Sequence, residues 1–127
     1  MRRTQTLTWE DVDDFVDELV IRYATREFSG VYGVPRGGSV LAVIISHAMN
    51  IPYLGAPSDG CLVVDDISDS GITLQHYQEK GYEIATMFCH PETKVIPDYY
   101  RSLKHDEWIV FPWERTSPYQ KVRSPQC

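Results

Sequence analysis

The chain has 127 residues, of which 43% are apolar, enough to fill one hydrophobic core and consistent with a single domain over residues 1–127. Its formal net charge of −6 excludes a broad nucleic-acid-binding surface, which needs clustered Lys and Arg, but leaves room for a local pocket that takes a small anion. Three widely spaced cysteines, Cys61, Cys89 and Cys127, suggest neither a disulfide framework nor a zinc site. The longest apolar run, Val40 to Ile45, is too short to span a bilayer, so a soluble cytoplasmic protein is expected.

From Thr8 onward, Trp9, Val12, Phe15, Val16, Leu19, Val20 and Tyr23 recur at helical spacing, with Thr8 placed to cap and acids near the positive end. This predicts an amphipathic helix within residues 1–28. Phe28 to Val34 reads as a strand that ends at Pro35-Arg36-Gly37-Gly38, and Ser39 to Met49 as a mostly buried helix. Ile51 to Leu54 is a short strand, residues 55–60 a turn cluster, and Cys61 to Val64 an apolar run suited to a central parallel strand. A helix over Thr73 to Lys80, ended by Gly81, and a strand over Glu83 to Cys89 complete a core at residues 29–90. The alternation predicts an α/β fold with a doubly wound, mainly parallel sheet. Tyr99, Tyr100 and the run from Trp108 to Trp113 lie outside that rhythm and predict a small aromatic addition over residues 91–115, followed by a loosely ordered tail at 116–127.

The segment from Asp65 to Thr73 carries the strongest chemical signal. Amides at a helix start, the helix dipole, the hydroxyls of Ser70 and Thr73 and the close approach allowed by Gly71 make an anion cradle. Carboxylates repel phosphate, so Asp65 and Asp66 beside the cradle serve another purpose: sugar hydroxyls or a divalent cation. As neighbours at a strand end they should point different ways. Competing motifs fail. An EF-hand begun at Asp66 needs Glu where Tyr77 stands, and the turn at Gly33 to Ser39 lacks the lysine of a P-loop.

Val63-Val64-Asp65-Asp66-Ile67-Ser68-Asp69-Ser70-Gly71-Ile72-Thr73 resembles the phosphoribosyl-pyrophosphate motif of type I phosphoribosyltransferases. The resemblance implies that Asp69, Ser70, Gly71, Ile72 and Thr73 bind the 5′-phosphate, that Asp65 and Asp66 serve the ribose and Mg2+, and that Asp69 is the proton-transfer group near N7 of a purine. Arg36-Gly37-Gly38 resembles the pyrophosphate loop of the same family. A guanidinium and backbone donors there would stabilise the departing charge.

Glu107-Trp108-Ile109-Val110-Phe111-Pro112-Trp113-Glu114 is similar to the base-covering hood of the xanthine-guanine and hypoxanthine enzymes, which implies that Trp108 stacks on the base and that backbone near Ile109 reads its edge. Two departures stand out. His90-Pro91 replaces the Lys-Pro pair whose lysine faces the exocyclic oxygen, leaving His90 or Lys94 to reach it. Residues 55–60 replace a long flexible loop that closes over the sugar. The resemblance therefore implies transfer of a phosphoribosyl group to a 6-oxopurine by a homodimer or higher oligomer. A non-catalytic phosphoribosyl-pyrophosphate or nucleotide sensor, and a transferase for a different base, are the alternatives.

Overall fold

The structure, a computed structural model, describes residues 3–114, so the tail expected at 116–127 lies outside the described residues. Strand β1 (Thr4–Thr6) leads into helix α1 (Trp9–Arg22), whose start is set by a capping box. Here the Asp11 N–H donates to Thr8 Oγ1 at 3.2 Å and the Thr8 N–H donates to Asp11 Oδ2 at 2.8 Å. The helix buries Val12, Phe15, Val16 and Leu19, the face that its spacing predicts. Then follow β2 (Val31–Gly33), α2 (Gly37–Met49), β3 (Tyr53–Leu54), β4 (Leu62–Ser68), α3 (Ile72–Glu79), β5 (Glu83–Cys89), β6 (Tyr99–Leu103) and β7 (Trp108–Val110).

Five of these strands form a parallel sheet in the order β3-β2-β4-β5-β6. Helices lie on both faces. Leu62 and Val64 of β4 pack with the buried residues of α1 and α2, whereas Val63 packs on the other face with Leu74 of α3, Ile84 and Val95. The fold is thus the doubly wound α/β arrangement that the alternation predicts. From β2 the chain turns to one side, to β3, and from β4 to the other, to β5. A crevice therefore opens at the carboxyl ends of β2 and β4, the place where such sheets take ligands.

Three expectations are corrected. Strand β4 does not end at Val64 but runs through Asp65, Asp66, Ile67 and Ser68, because pairing to β5 continues at Asp65↔Thr86, Ile67↔Phe88 and Ser68↔Cys89. The acids are strand residues, not turn residues. Tyr99–Leu103, expected outside the α/β rhythm, is the fifth strand of the sheet, paired from Ala85↔Tyr99 to Cys89↔Leu103. Its crossover from β5 contains no helix; the buried Val95 covers the sheet face beside Leu74 instead. Finally, the amino-terminal segment is more than a helix. Strand β1 pairs in parallel with β7 at Thr4↔Trp108, Gln5↔Ile109 and Thr6↔Val110, tying the aromatic addition to the start of the chain. Ile109 and Phe111 reach down into the main core, where Phe111 meets Phe88 edge-on at 6.2 Å and stacks on Trp113 at 4.9 Å. Among the described residues no helix is long and apolar enough to cross a membrane.

Two phenols give the fold an alkaline limit. Burial, with a hydrogen bond to Glu18, pushes Tyr99 up to about 12, and burial, with a hydrogen bond to Tyr32, pushes Tyr77 up to about 12. A tyrosine in the unfolded chain ionises near about pH 10. The native state therefore holds these protons more tightly, so their stabilisation is complete below that pH and is lost as pH rises towards 12. Urea unfolding midpoints should fall steeply across this window, and a Tyr77→Phe/Tyr99→Phe double variant should fall less steeply; an unchanged slope would remove the two phenols from the account.

Candidate active site

The crevice is built from two turns and the acid pair between them. The first turn, after β2, runs from Pro35 to Gly38 with a cis peptide between Pro35 and Arg36. It lies flat on β4. A Cβ on Gly38 would stand 2.5 Å from the Val64 carbonyl oxygen and 3.1 Å from Asp65 Cα, and a Cβ on Gly37 would run into the Asp66 carboxylate. Only residues without side chains permit this approach. The Gly38 N–H donates to the Val34 carbonyl at 2.9 Å, which starts α2 two residues ahead of the expected Ser39 and leaves Arg36 exposed at the tip.

The adjacent acids sit in different surroundings. Asp65 is wholly buried, and its Oδ1 accepts from the Asp66 N–H at 2.8 Å. Asp66 is half-buried against Gly37, and its Oδ1 accepts from the Ile67 N–H at 2.8 Å. These carboxylate bonds occur where the pairing with β5 passes from Asp65↔Thr86 to Ile67↔Phe88. Hard oxygens of this kind suit Mg2+, which is usually held by one or two carboxylates and completed by water and substrate oxygens. The pair fits such an ion on those terms. No group of three or more His, Cys, Asp or Glu side chains among the described residues could hold a metal by itself.

The second turn, Asp69-Ser70-Gly71, leads from β4 into α3. Gly71 has φ of 84°, and a Cβ there would lie 2.5 Å from Thr93 Oγ1 and 2.6 Å from the Val95 amide nitrogen. The Ile72 N–H donates to Ser70 Oγ at 3.3 Å, and the helix closes with the Gln75 N–H donating to the Gly71 carbonyl at 3.1 Å. Amides of the first helical turn have no intrahelical acceptor, and Ser70, Ile72 and Thr73 around them face solvent. The turn thus sets exposed residues and the start of a helix at the carboxyl end of β4.

The loop after β5 is stapled to this turn. The His90 N–H donates to the Ser68 carbonyl at 2.8 Å, the Lys94 N–H to the Ser70 carbonyl at 2.9 Å, and Ser68 Oγ to the Val95 carbonyl at 2.7 Å. His90 is half-buried, and its Nδ1 accepts from the Glu92 N–H at 3.0 Å, so the neutral ring carries its proton on Nε2. The Lys94 side chain is exposed.

On β7, Trp108 is half-buried and the Ile109 side chain is wholly buried in the core. The Trp108 N–H donates to the Arg3 carbonyl at 2.7 Å and the Leu7 N–H to the Val110 carbonyl at 2.8 Å. The neighbours of Ile109 therefore pair with β1, while its own peptide groups turn to the opposite edge. One charged residue escapes sequence reasoning. Lys104, just past β6, is buried, and its Nζ lies 3.6 Å from Asp69 Oδ1. The only signal for it is the alternation after exposed Leu103, in a strand whose polar composition hides it. Residues 55–60 run from the carboxyl end of β3 back to the amino end of β4. The Ser29 N–H donates to the Gly60 carbonyl at 3.0 Å and Ser29 Oγ to the Asp59 carbonyl at 2.8 Å, beside the amino end of β2.

No family model matches the chain. The sequence is 27% identical to the xanthine-guanine phosphoribosyltransferase of Idiomarina loihiensis over 85% of each chain. Among solved structures, the xanthine-guanine-hypoxanthine phosphoribosyltransferase of Helicobacter pylori shares the fold, with a TM-score of 0.71 at 21% identity over 88% of this chain and 94% of that one. The purine phosphoribosyltransferase of Pyrococcus horikoshii aligns with a TM-score of 0.78 and 32% identity over 93% of this chain and 99% of that one. Sequence identity at that level over nearly the whole of both chains, on a doubly wound sheet with the crevice just described, establishes that this chain belongs to the purine phosphoribosyltransferases, on the type I fold and close to their xanthine-guanine and hypoxanthine group.

Proposed function

We propose that the protein transfers the phosphoribosyl group of phosphoribosyl pyrophosphate to N9 of a 6-oxopurine (guanine, xanthine or hypoxanthine), releasing pyrophosphate. The observation that carries this reading is the first glycine turn lying directly on the acid pair of β4, the strand that leads into the second glycine turn, at the β2/β4 crevice. In the reaction the bond from C1 to the pyrophosphate oxygen breaks, the bond from N9 to C1 forms, and the base gives up one proton. The cradle of Ser70, Gly71, Ile72 and Thr73 receives the 5′-phosphate, and Arg36 with the turn at Gly37 and Gly38 receives the pyrophosphate. Asp66, with Asp65 behind it, holds the ribose hydroxyls and Mg2+; when bound, that ion offsets the charge developing on the leaving group. Asp69 takes the proton from the base at N7, Trp108 offers its indole face, and the peptide of Ile109 reads the base edge. The family likeness supports a homo-oligomer working in the cytoplasm on small-molecule substrates.

A second reading has an observation of its own. Residues 55–60 form a six-residue connection whose last two residues are bonded to Ser29 beside the amino end of β2, too short to fold over a sugar as a long loop would, as suits a sensor that binds without turnover. Incubation with Mg2+, phosphoribosyl pyrophosphate and, separately, guanine, xanthine, hypoxanthine, adenine and uracil distinguishes the two. Nucleotide and pyrophosphate should form together with the 6-oxopurines. Tight binding without product from any base would overturn the enzyme reading in favour of the sensor.

Two variants test the assigned parts. Asp69→Asn should lower kcat about a hundredfold or more, the usual weight of a positioned acid-base group, with affinity for phosphoribosyl pyrophosphate little changed. Full activity would remove Asp69 from the chemistry. Gly37→Ala drives a methyl group into the movable Asp66 carboxylate rather than into backbone. It should weaken Mg2+-dependent binding at least tenfold while the thermal midpoint moves by only a few degrees; unaltered binding would separate Asp66 from the ligand site.

A further inference from the structure

A buried lysine stands beside the carboxylate to which proton transfer is assigned, at a position that the family's Lys-Pro pair does not occupy. The Lys104 side chain is only 8% exposed, and its backbone is fixed by the N–H that donates to the Cys89 carbonyl at 3.0 Å, where the carboxyl ends of β5 and β6 meet. Among the described residues its ammonium has two contacts, both long: Asp69 Oδ1 at 3.6 Å and the His105 carbonyl oxygen at 3.5 Å. An ammonium carries three donors and no acceptor, and burying one is costly unless those donors are well satisfied. Two contacts beyond ordinary hydrogen-bond length leave donor capacity at a place where Asp69 itself is 30% exposed and so open to a ligand.

The spacing of this pair matches one edge of a base. A 6-oxopurine presents N7 and the exocyclic O6 side by side on its major-groove edge, whereas adenine presents N7 beside an amino donor. If Asp69 faces N7, as the proposed function has it, the partner 3.6 Å away faces the exocyclic group. A cationic donor there accepts O6 and rejects an amino group, which brings only further hydrogens. Of the two side chains suggested for this task by the sequence, Lys94 is exposed. His90, whose Nδ1 accepts from the Glu92 N–H, has Nε2–H as a donor and is the competitor that the experiment below separates from Lys104.

We propose that Lys104 is the residue that selects oxo- over amino-purines, donating to the exocyclic oxygen while it orients Asp69 towards N7. The inference rests on the transferase reading for its setting, but its test does not require turnover. Wild type, Lys104→Met, Lys104→Arg, His90→Ala and Lys94→Ala are compared by calorimetry for binding of inosine monophosphate, which carries the oxo group, and adenosine monophosphate, which carries the amino group. The same proteins are assayed for kcat/KM with hypoxanthine and adenine. Lys104→Met should reduce the oxo/amino preference at least tenfold in both measurements, with phosphoribosyl-pyrophosphate affinity within about twofold of wild type; Lys104→Arg should recover part of the preference, and the other two variants should keep it. If Lys104→Met binds phosphoribosyl pyrophosphate normally and retains the wild-type preference, or if His90→Ala or Lys94→Ala abolishes that preference, the assignment is overturned. If Lys104→Met fails to fold, a folded Lys104→Arg decides the matter: an altered preference supports the assignment, and an unaltered preference alongside altered stability makes Lys104 structural. Absence of turnover by wild type, with a nucleotide preference that depends on Lys104, would defeat the transferase reading and leave this one standing.

Discussion

Everything in the crevice depends on how closely the turn from Pro35 to Gly38 approaches strand β4. Two glycines lie where side chains would strike the Val64 carbonyl and the Asp66 carboxylate, and Gly33 has no room either, since its Cβ would meet the Gly38 carbonyl. This contact brings the tip of one βα unit against the acids of the next. It also explains why the two acids differ. The turn seals Asp65 into the sheet and leaves Asp66 at its margin, so chemically identical neighbours become one buried carboxylate that braces the backbone and one that can meet a ligand.

The second half of the site is made rigid by packing rather than by a lid. Gly71 is wedged against residues 93–95, and three hydrogen bonds between residues 68–70 and 90–95 tie the second turn to the loop after β5. The left-handed φ at Gly71 makes the turn sharp enough for α3 to begin over the carboxyl end of β4, and a side chain would oppose it both through φ and through backbone contact. The two turns and the acid pair are thus set by neighbouring strands of one sheet. That arrangement suits a chain in which residues 55–60 form only a short connection at the far edge.

What could be read in the sequence follows from which signals are local. The α1 cap, the β5 bounds and the strand-turn-helix setting of both glycine turns depend on residues a few positions apart, and the structure contains them as expected. Strand β6 was hidden because Tyr99-Tyr100-Arg101-Ser102-Leu103 is an edge strand with half of its surface towards water, so no apolar run marks it; its partner β5 supplies the reason that it forms. Strand β1 was hidden for a similar reason, being three exposed residues whose hydrogen bonds go to the other end of the chain. Lys104 belongs to this second class. A lone lysine after a polar strand looks like surface until β6 is placed beside β5 and carries it next to Asp69.

The charge pattern of the site limits how an anionic substrate can be held there. Asp65, Asp66 and Asp69 stand within five consecutive residues of a chain with net charge −6, and among the described residues Arg36 lies at the tip of the first turn and Lys104 against Asp69. Two such side chains cannot offset three carboxylates together with a substrate that bears several phosphate charges. On the proposed reading the remaining attraction comes from oriented amides at the start of α3 and in the first turn, whose partial charges bring no desolvation of a full ion, and would be completed by a divalent cation. The acids therefore do not merely tolerate the anion. On the proposed reading they would make its binding conditional on the cation and confine tight association to a ligand that has both a phosphate for the turn before α3 and further oxygens within reach of Asp66.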